Sequence, residues 1–216
     1  MMVVGRIVGR GGVTGITMLA LVASFASTGC GSSAEATGAT PDTPAIAESD
    51  LAGTVDGRAF VIRDAIAAVT LHWKSGLSPG SSTVVLLSDT TGFCDQIKTN
   101  LTKPDTQLLI LDLGEVTSGT AAPITGPGTF PWSTDLISPR TSSIYYSFVD
   151  SACGFHKDFA TAGEVSITAF AAGGASMGGS LDVTLGGGSL RGAFAAHDGC
   201  PTDAVDTYLN LTPKCP

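Results

Sequence analysis

Residues 163–197, GEVSITAFAAGGASMGGSLDVTLGGGSLRGAFAAH, decide the fold. Val165, Ile167 and Ala169 alternate with Glu164, Ser166 and Thr168, and Leu181, Val183 and Leu185 alternate with Ser180, Asp182 and Thr184. Period two puts the apolar set on one face of a strand and the polar set on the other. Glycines at 173–174 and 186–188 fall between the runs, where tight turns are needed. The pattern predicts three antiparallel strands in a meander, the third over residues 189–197.

Upstream, residues 143–149 (SIYYSFV), 107–116 (QLLILDLGEV) and 83–88 (TVVLLS) read as further strands. The unbroken apolar run from Leu108 to Leu111 marks the second of these as central. Residues 51–58 (LAGTVDGR) run into Asp56-Gly57, a strong hairpin signal, and residues 59–73 supply the return strand, interrupted near Arg63-Asp64. Phe93, Ile97 and Leu101 at helical spacing predict one short helix over residues 91–101, before Pro104. Seven to nine short strands predict an all-β domain with a minor helix, an antiparallel β-sandwich or β-barrel. Periodicity leaves those two open.

Segment 117–140 is rich in Gly, Pro, Thr and Ser, and its aromatic residues are Phe130 and Trp132. Structureless loops of this length are uncommon in compact domains. Either the two rings pin the segment to the core as a short edge strand, or they form a contact loop for a partner.

Composition agrees with a turn-rich β protein: 43% of residues are hydrophobic and only 14% charged, with 28 Gly and 11 Pro. The formal charge is -8, but Arg6 and Arg10 lie in the first 29 residues, which hold no acid. Without that segment, nine basic side chains face nineteen acidic ones. Such a field repels phosphate backbones, so nucleic acid is excluded as an expected partner. A monomer is expected.

The N-terminal segment has the layout of an export signal: Arg6 and Arg10, then an apolar stretch over residues 13–27, then small residues up to Gly29-Cys30. The apolar stretch falls short of the roughly 20 residues that span a bilayer. Ser27-Thr28-Gly29-Cys30 resembles a bacterial lipobox, with Ser27 where leucine is usual. The resemblance implies that residues 1–29 are removed and that the Cys30 thiol carries diacylglycerol. Two or more acyl chains anchor stably, each buried CH2 contributing about 0.8 kcal/mol. Gly31, rather than Asp, after the cysteine implies sorting to the outer membrane where the cell has one. Cleavage after Ala26, releasing a soluble chain, is the rival. Residues 30–50 are then the lipidated cysteine and a Ser/Thr/Pro-rich tether, and residues 51–216 one extracytoplasmic domain of the cell envelope. This layout, with Gly53-Thr54-Val55-Asp56-Gly57 opening the domain and a glycine-rich closing hairpin before Cys200, resembles that of many uncharacterised bacterial lipoproteins.

Cys94, Cys153, Cys200 and Cys215 follow the tether, and an even count in an exported chain predicts two disulfides. Three pairings are open; Cys94 with Cys153 and Cys200 with Cys215 is the preferred one. Cys153 with His156 and Cys200 with His197 also have the spacing of a zinc set, but oxidising surroundings favour bridges. No metal and no cofactor is expected. Asp198, Asp203 and Asp206 lack the spacing of a calcium loop, and the Asn100 and Asn210 acceptor patterns are expected to be idle.

Gly174-Ala175-Ser176-Met177-Gly178 matches the nucleophile elbow of hydrolases, which needs a strand before the serine and a helix after it. A glycine-rich alternating segment follows instead, so a hairpin turn is the better expectation. His72, His156 and His197 are the available bases. The expected function is therefore a non-enzymatic binding or surface-structural module, membrane-anchored through Cys30, with an unknown protein or small molecule as ligand. The alternative is a serine hydrolase using Ser176.

Overall fold

The computed structural model describes residues 49–70, 80–117, 120–133, 138–171, 176–211 and 214–216. The leader, Cys30, the tether up to residue 48 and the His72-Trp73 pair lie outside the described residues. Among the described residues the strands are β1 (Ala52–Val55), β2 (Arg58–Val61), β3 (Asp64–Thr70), β4 (Ser82–Ser88), β5 (Gln107–Thr117), β6 (Thr120–Ala122), β7 (Gly128–Pro131), β8 (Arg140–Val149), β9 (Phe155–Phe170), β10 (Ser176–Leu185) and β11 (Gly188–His197). Two helices, α1 (Phe93–Thr99) and α2 (Thr202–Asn210), accompany them.

The alternating stretch forms the expected meander, with β9 pairing β10 and β10 pairing β11, all antiparallel. The chain of neighbours runs β10, β9, β8, β5, β4, β3, β11, and the β10–β11 pairing closes it into a seven-stranded barrel. Barrel rather than sandwich is the outcome. Closure leaves one thin seam, where β11 meets β3 in parallel through the single register pair His197 and Ile66.

The apolar run of β5 is explained by burial on both faces. Leu109, Leu111 and Leu113 belong to the core inside the barrel, with Val85, Leu87, Ile144, Val165, Val183 and Phe194. Leu108 and Ile110 point to the outer wall, where they join Ile66, Val84, Leu86, Phe93, Ile97, Val205 and Tyr208 under the two helices. A strand covered on both faces loses its alternation of apolar and polar residues. The rings of Phe93 in α1 and Tyr208 in α2 meet edge-on at 5.6 Å, a contact that contributes about 0.5–1.5 kcal/mol beyond burial.

The Asp56-Gly57 signal gives the β1–β2 hairpin. Both residues have positive φ, 49° and 73°, as a two-residue turn matched to strand twist requires. Val55 and Phe60 from this hairpin are fully buried in the inner core. The Gln107 amide ties its return strand to β5 by donating to the Ala59 carbonyl at 2.9 Å.

Several expectations need correction. Two residues read as the end of the tether bond to the barrel: Asp50 accepts from the Ala193 amide at 2.5 Å and Ser49 from the Ala195 amide at 2.9 Å. They cover the edge of β11 between β1 and the seam, so polar residues that read as tether are wall.

The single expected helix is shorter, ending at Thr99, while Leu101 forms a bridge with Lys214. A second helix, α2, accompanies it, burying Val205 and Tyr208.

β9 starts at Phe155 rather than Gly163 because a register shift opposite Thr184 and Leu185 inserts an extra residue. That bulge breaks the period-two pattern.

Of the two readings of segment 117–140, pinning to the core is the one seen in its described part, and the contact loop is not. β6 pairs β5 and β7 pairs β9, and Phe130 is fully buried. Trp132 is partly buried against the same core.

The disulfide pairing also differs from the preferred one. Cys94 is bonded to Cys200 and Cys153 to Cys215, with Cα separations of 5.4 and 5.9 Å. The reason is topological. α1 packs beside α2, bringing Cys94 to Cys200, two residues before α2 begins. The C-terminal segment runs back along the strand ends: the Lys214 carbonyl accepts from the Thr102 amide at 2.7 Å, which delivers Cys215 to the β8–β9 turn.

Candidate functional site

Among the described residues, side chains fill the inside of the barrel. Phe60, Phe130 and Phe194 are fully buried there with Met177 and with Leu109, Leu111 and Leu113 of β5, as expected where side chains fill a small barrel. The outer wall is less completely filled.

A cleft of about 180 Å3 lies there, between the end of α2 and strands β5, β8 and β9. Leu108 and Ile110 of β5 line it with Tyr145 of β8, Phe155 and Lys157 of β9, and Tyr208 to Leu211. Lys157 is the only charged side chain among its lining residues. Its ammonium lies 5.1 Å from the centre of the Tyr145 ring and 5.3 Å from that of Phe155, inside the range of cation–π attraction. The Tyr145 ring is 5.8 Å from that of Phe159.

Burial decides the character of this cleft. Phe155, Phe159 and Leu211 are 37%, 59% and 53% exposed, three of the four large exposed apolar side chains among the described residues. The Tyr208 hydroxyl shares a 2.8 Å hydrogen bond with the Thr102 hydroxyl. Burial pushes its pKa up to about 12 and that of Tyr145 higher still, so both phenols are neutral.

Two devices set the walls. In the β8–β9 turn, Asp150 accepts from the amides of Ala152 and Gly154 at 2.9 and 2.7 Å and faces His156 Nε2 at 2.8 Å. The bond to His156, with the Gly154 amide next, holds its carboxyl below the usual range. The Cys153–Cys215 bridge then joins this turn to the C-terminal segment.

A second cleft, also about 180 Å3, sits at the barrel seam and is lined by Ser49, Arg63, Asp64 and His197 among others. Asp64 accepts the Phe93 amide at 2.8 Å, supplying the N-terminal cap of α1 from a neighbouring strand. His197 Nε2 lies 3.5 Å from the other Asp64 oxygen, and its Nδ1 is 2.7 Å from the Asp198 carbonyl.

Ser176 is the register partner of His197, so the serine, histidine and carboxylate of the hydrolase alternative fall on adjoining strands. Ser176 opens strand β10, which continues to Leu185, and no helix follows it. With one ring nitrogen on a carbonyl and the other facing Asp64, His197 has no nitrogen directed at a serine in this arrangement, as general-base catalysis requires. Gly174 and Ala175 lie outside the described residues.

The zinc spacing comes apart. Cys153 and Cys200 are each in a disulfide, and their histidines face Asp150 and Asp64. Asp203 and Asp206 lie on α2.

Asp112 was not singled out by sequence. It is the acid in the run LLILDL, it faces the outer wall opposite Val84 and Ser143, and its Oδ1 is buried with no hydrogen-bond partner. Burial pushes its pKa up to about 7, with a bond to Ser82 offsetting part of the rise. One acid inside an apolar strand was the available signal.

Comparison with models of protein families, with curated proteins and with solved structures finds no match to this chain. The geometry of the wall is therefore what speaks to function.

Proposed function

We propose that the chain is a lipid-anchored module of the cell envelope that binds a partner or small ligand on the outer wall of its barrel and performs no covalent chemistry. Cys30 carries the acyl chains, and the tether holds the barrel off the lipid. The observation that supports binding is the outer cleft, in which an ammonium sits between two aromatic rings beside exposed Phe159 and Leu211. Exposed aromatic groups around a pocket are where interaction energy concentrates. The organism's sorting signals then place it in the outer membrane where there is one.

The test is metabolic labelling with a palmitate analogue, with membrane fractionation. The parent is expected to be labelled and membrane-bound, and Cys30→Ser to be neither. Equal labelling or equal membrane association of the two overturns the anchor.

A second reading, serine hydrolase, is favoured by the Ser176–His197 register alone. Labelling of the parent but not of Ser176→Ala by a fluorophosphonate establishes it; an unlabelled parent removes it.

A further inference from the structure

We propose that the outer cleft is a site for a small amphipathic anion, one ring or short apolar chain ending in a carboxylate or similar group. This rests on the reading of the chain as a binding module and names the ligand chemistry of that same cleft.

Size comes first. At about 180 Å3 the cleft is below the roughly 300–1,000 Å3 of sites that hold drug-sized ligands, so a nucleotide or other large cofactor does not fit. Polarity comes next. Leu108 and Ile110 form an apolar floor, and Tyr145 and Phe155 present rings against which an apolar body packs. The Tyr208 hydroxyl is turned to Thr102 and offers the ligand little.

Charge gives the end group. In a chain with an excess of acid, the one charged lining residue is a cation, Lys157, held over two ring faces. An anionic end group is attracted to that ammonium, and a cationic one is repelled by it while also losing water to an apolar floor. The complementarity therefore selects the carboxylate over the alcohol and the amine of the same body.

The walls that define the cleft come from segments far apart in sequence. Phe155 and Lys157 follow Cys153 closely, Leu211 shortly precedes Cys215, and the bridge between those cysteines fixes one wall against the other. The shape of the site depends on that clasp.

The test is calorimetric titration of the purified full chain in detergent, against a detergent blank, with phenylacetate, 2-phenylethanol and phenethylamine. Phenylacetate is expected to bind one to one and about tenfold tighter than the alcohol, with the amine weaker than both. Lys157→Gln, shown to be folded by an unchanged denaturation midpoint, is expected to abolish the preference for phenylacetate over the alcohol. Absence of saturable phenylacetate binding, equal affinity for acid and alcohol, or indifference to Lys157→Gln overturns the proposal. The titration reads the cleft whether or not Cys30 carries lipid, so its failure is separable from failure of the anchor.

Discussion

Cys153 is bonded to Cys215 across 62 positions of sequence, although Cys200 lies nearer to each of them along the chain. The bridge joins the β8–β9 turn to the C-terminal segment, close in sequence to Phe155 and Leu211, which line the cleft. A loop of this length constrains the unfolded chain by about 4 kcal/mol in the chain-entropy account.

A non-reducing proteolytic map is expected to yield peptides joining Cys94 to Cys200 and Cys153 to Cys215. The double variant Cys153→Ser/Cys215→Ser is expected to lose about 2–4 kcal/mol in denaturant unfolding while keeping its barrel circular-dichroism spectrum. A peptide joining Cys94 to Cys153 contradicts this pairing.

Asp112 gives a pH dependence. Its carboxyl titrates at 3.8 when unperturbed and at about 7 in the fold, so between those values the folded chain holds a proton that the unfolded chain has released. Stability then falls as pH climbs from about 4 to 7, and the penalty stays constant above that. Asp112→Asn removes the charge. It is expected to gain stability over the parent at pH 8, by up to about 4 kcal/mol, and little at pH 4. Denaturation midpoints of the two proteins across that range check the sign, and parallel profiles contradict it.

Phe130 is expected to behave as core. Phe130→Ala should cost about 3–5 kcal/mol, whereas Thr129→Ala, on the exposed side of the same strand, should stay within about 0.5 kcal/mol. Comparable small losses at both positions would mean that the ring is outside, as the contact-loop alternative has it.

The contrast at this strand shows what was legible in the sequence. The β9–β10–β11 meander was readable because one face is buried and one is wet, so period two survives in Val165, Ile167, Leu181 and Val183. The Asp56-Gly57 turn was readable because few residue pairs take positive φ twice in succession.

Barrel closure was not readable. It rests on a single parallel bridge between His197 and Ile66, and no local pattern encodes a pairing that remote. α2 left a weak signal: Val205, Tyr208 and Leu209 have helical spacing after Pro201, a run too short to stand out by periodicity alone. The cleft was the least legible feature. Lys157 reads as an ordinary solvated lysine until the bulge in β9, the end of α2 and the Cys153–Cys215 bridge bring Phe155, Tyr145 and Leu211 around it. Only long-range contacts carry that information.

The proposed anchoring of a twice-bridged barrel outside the cytoplasm through an acylated Cys30 is tested by the intact mass of the protein purified from its native membrane. The expected mass is that of a chain beginning at Cys30, heavier than its sequence by two or three acyl chains with their glycerol, and gaining four hydrogens on reduction. A mass matching an unmodified chain that begins after Ala26, or a reduction shift of two hydrogens or none, contradicts it.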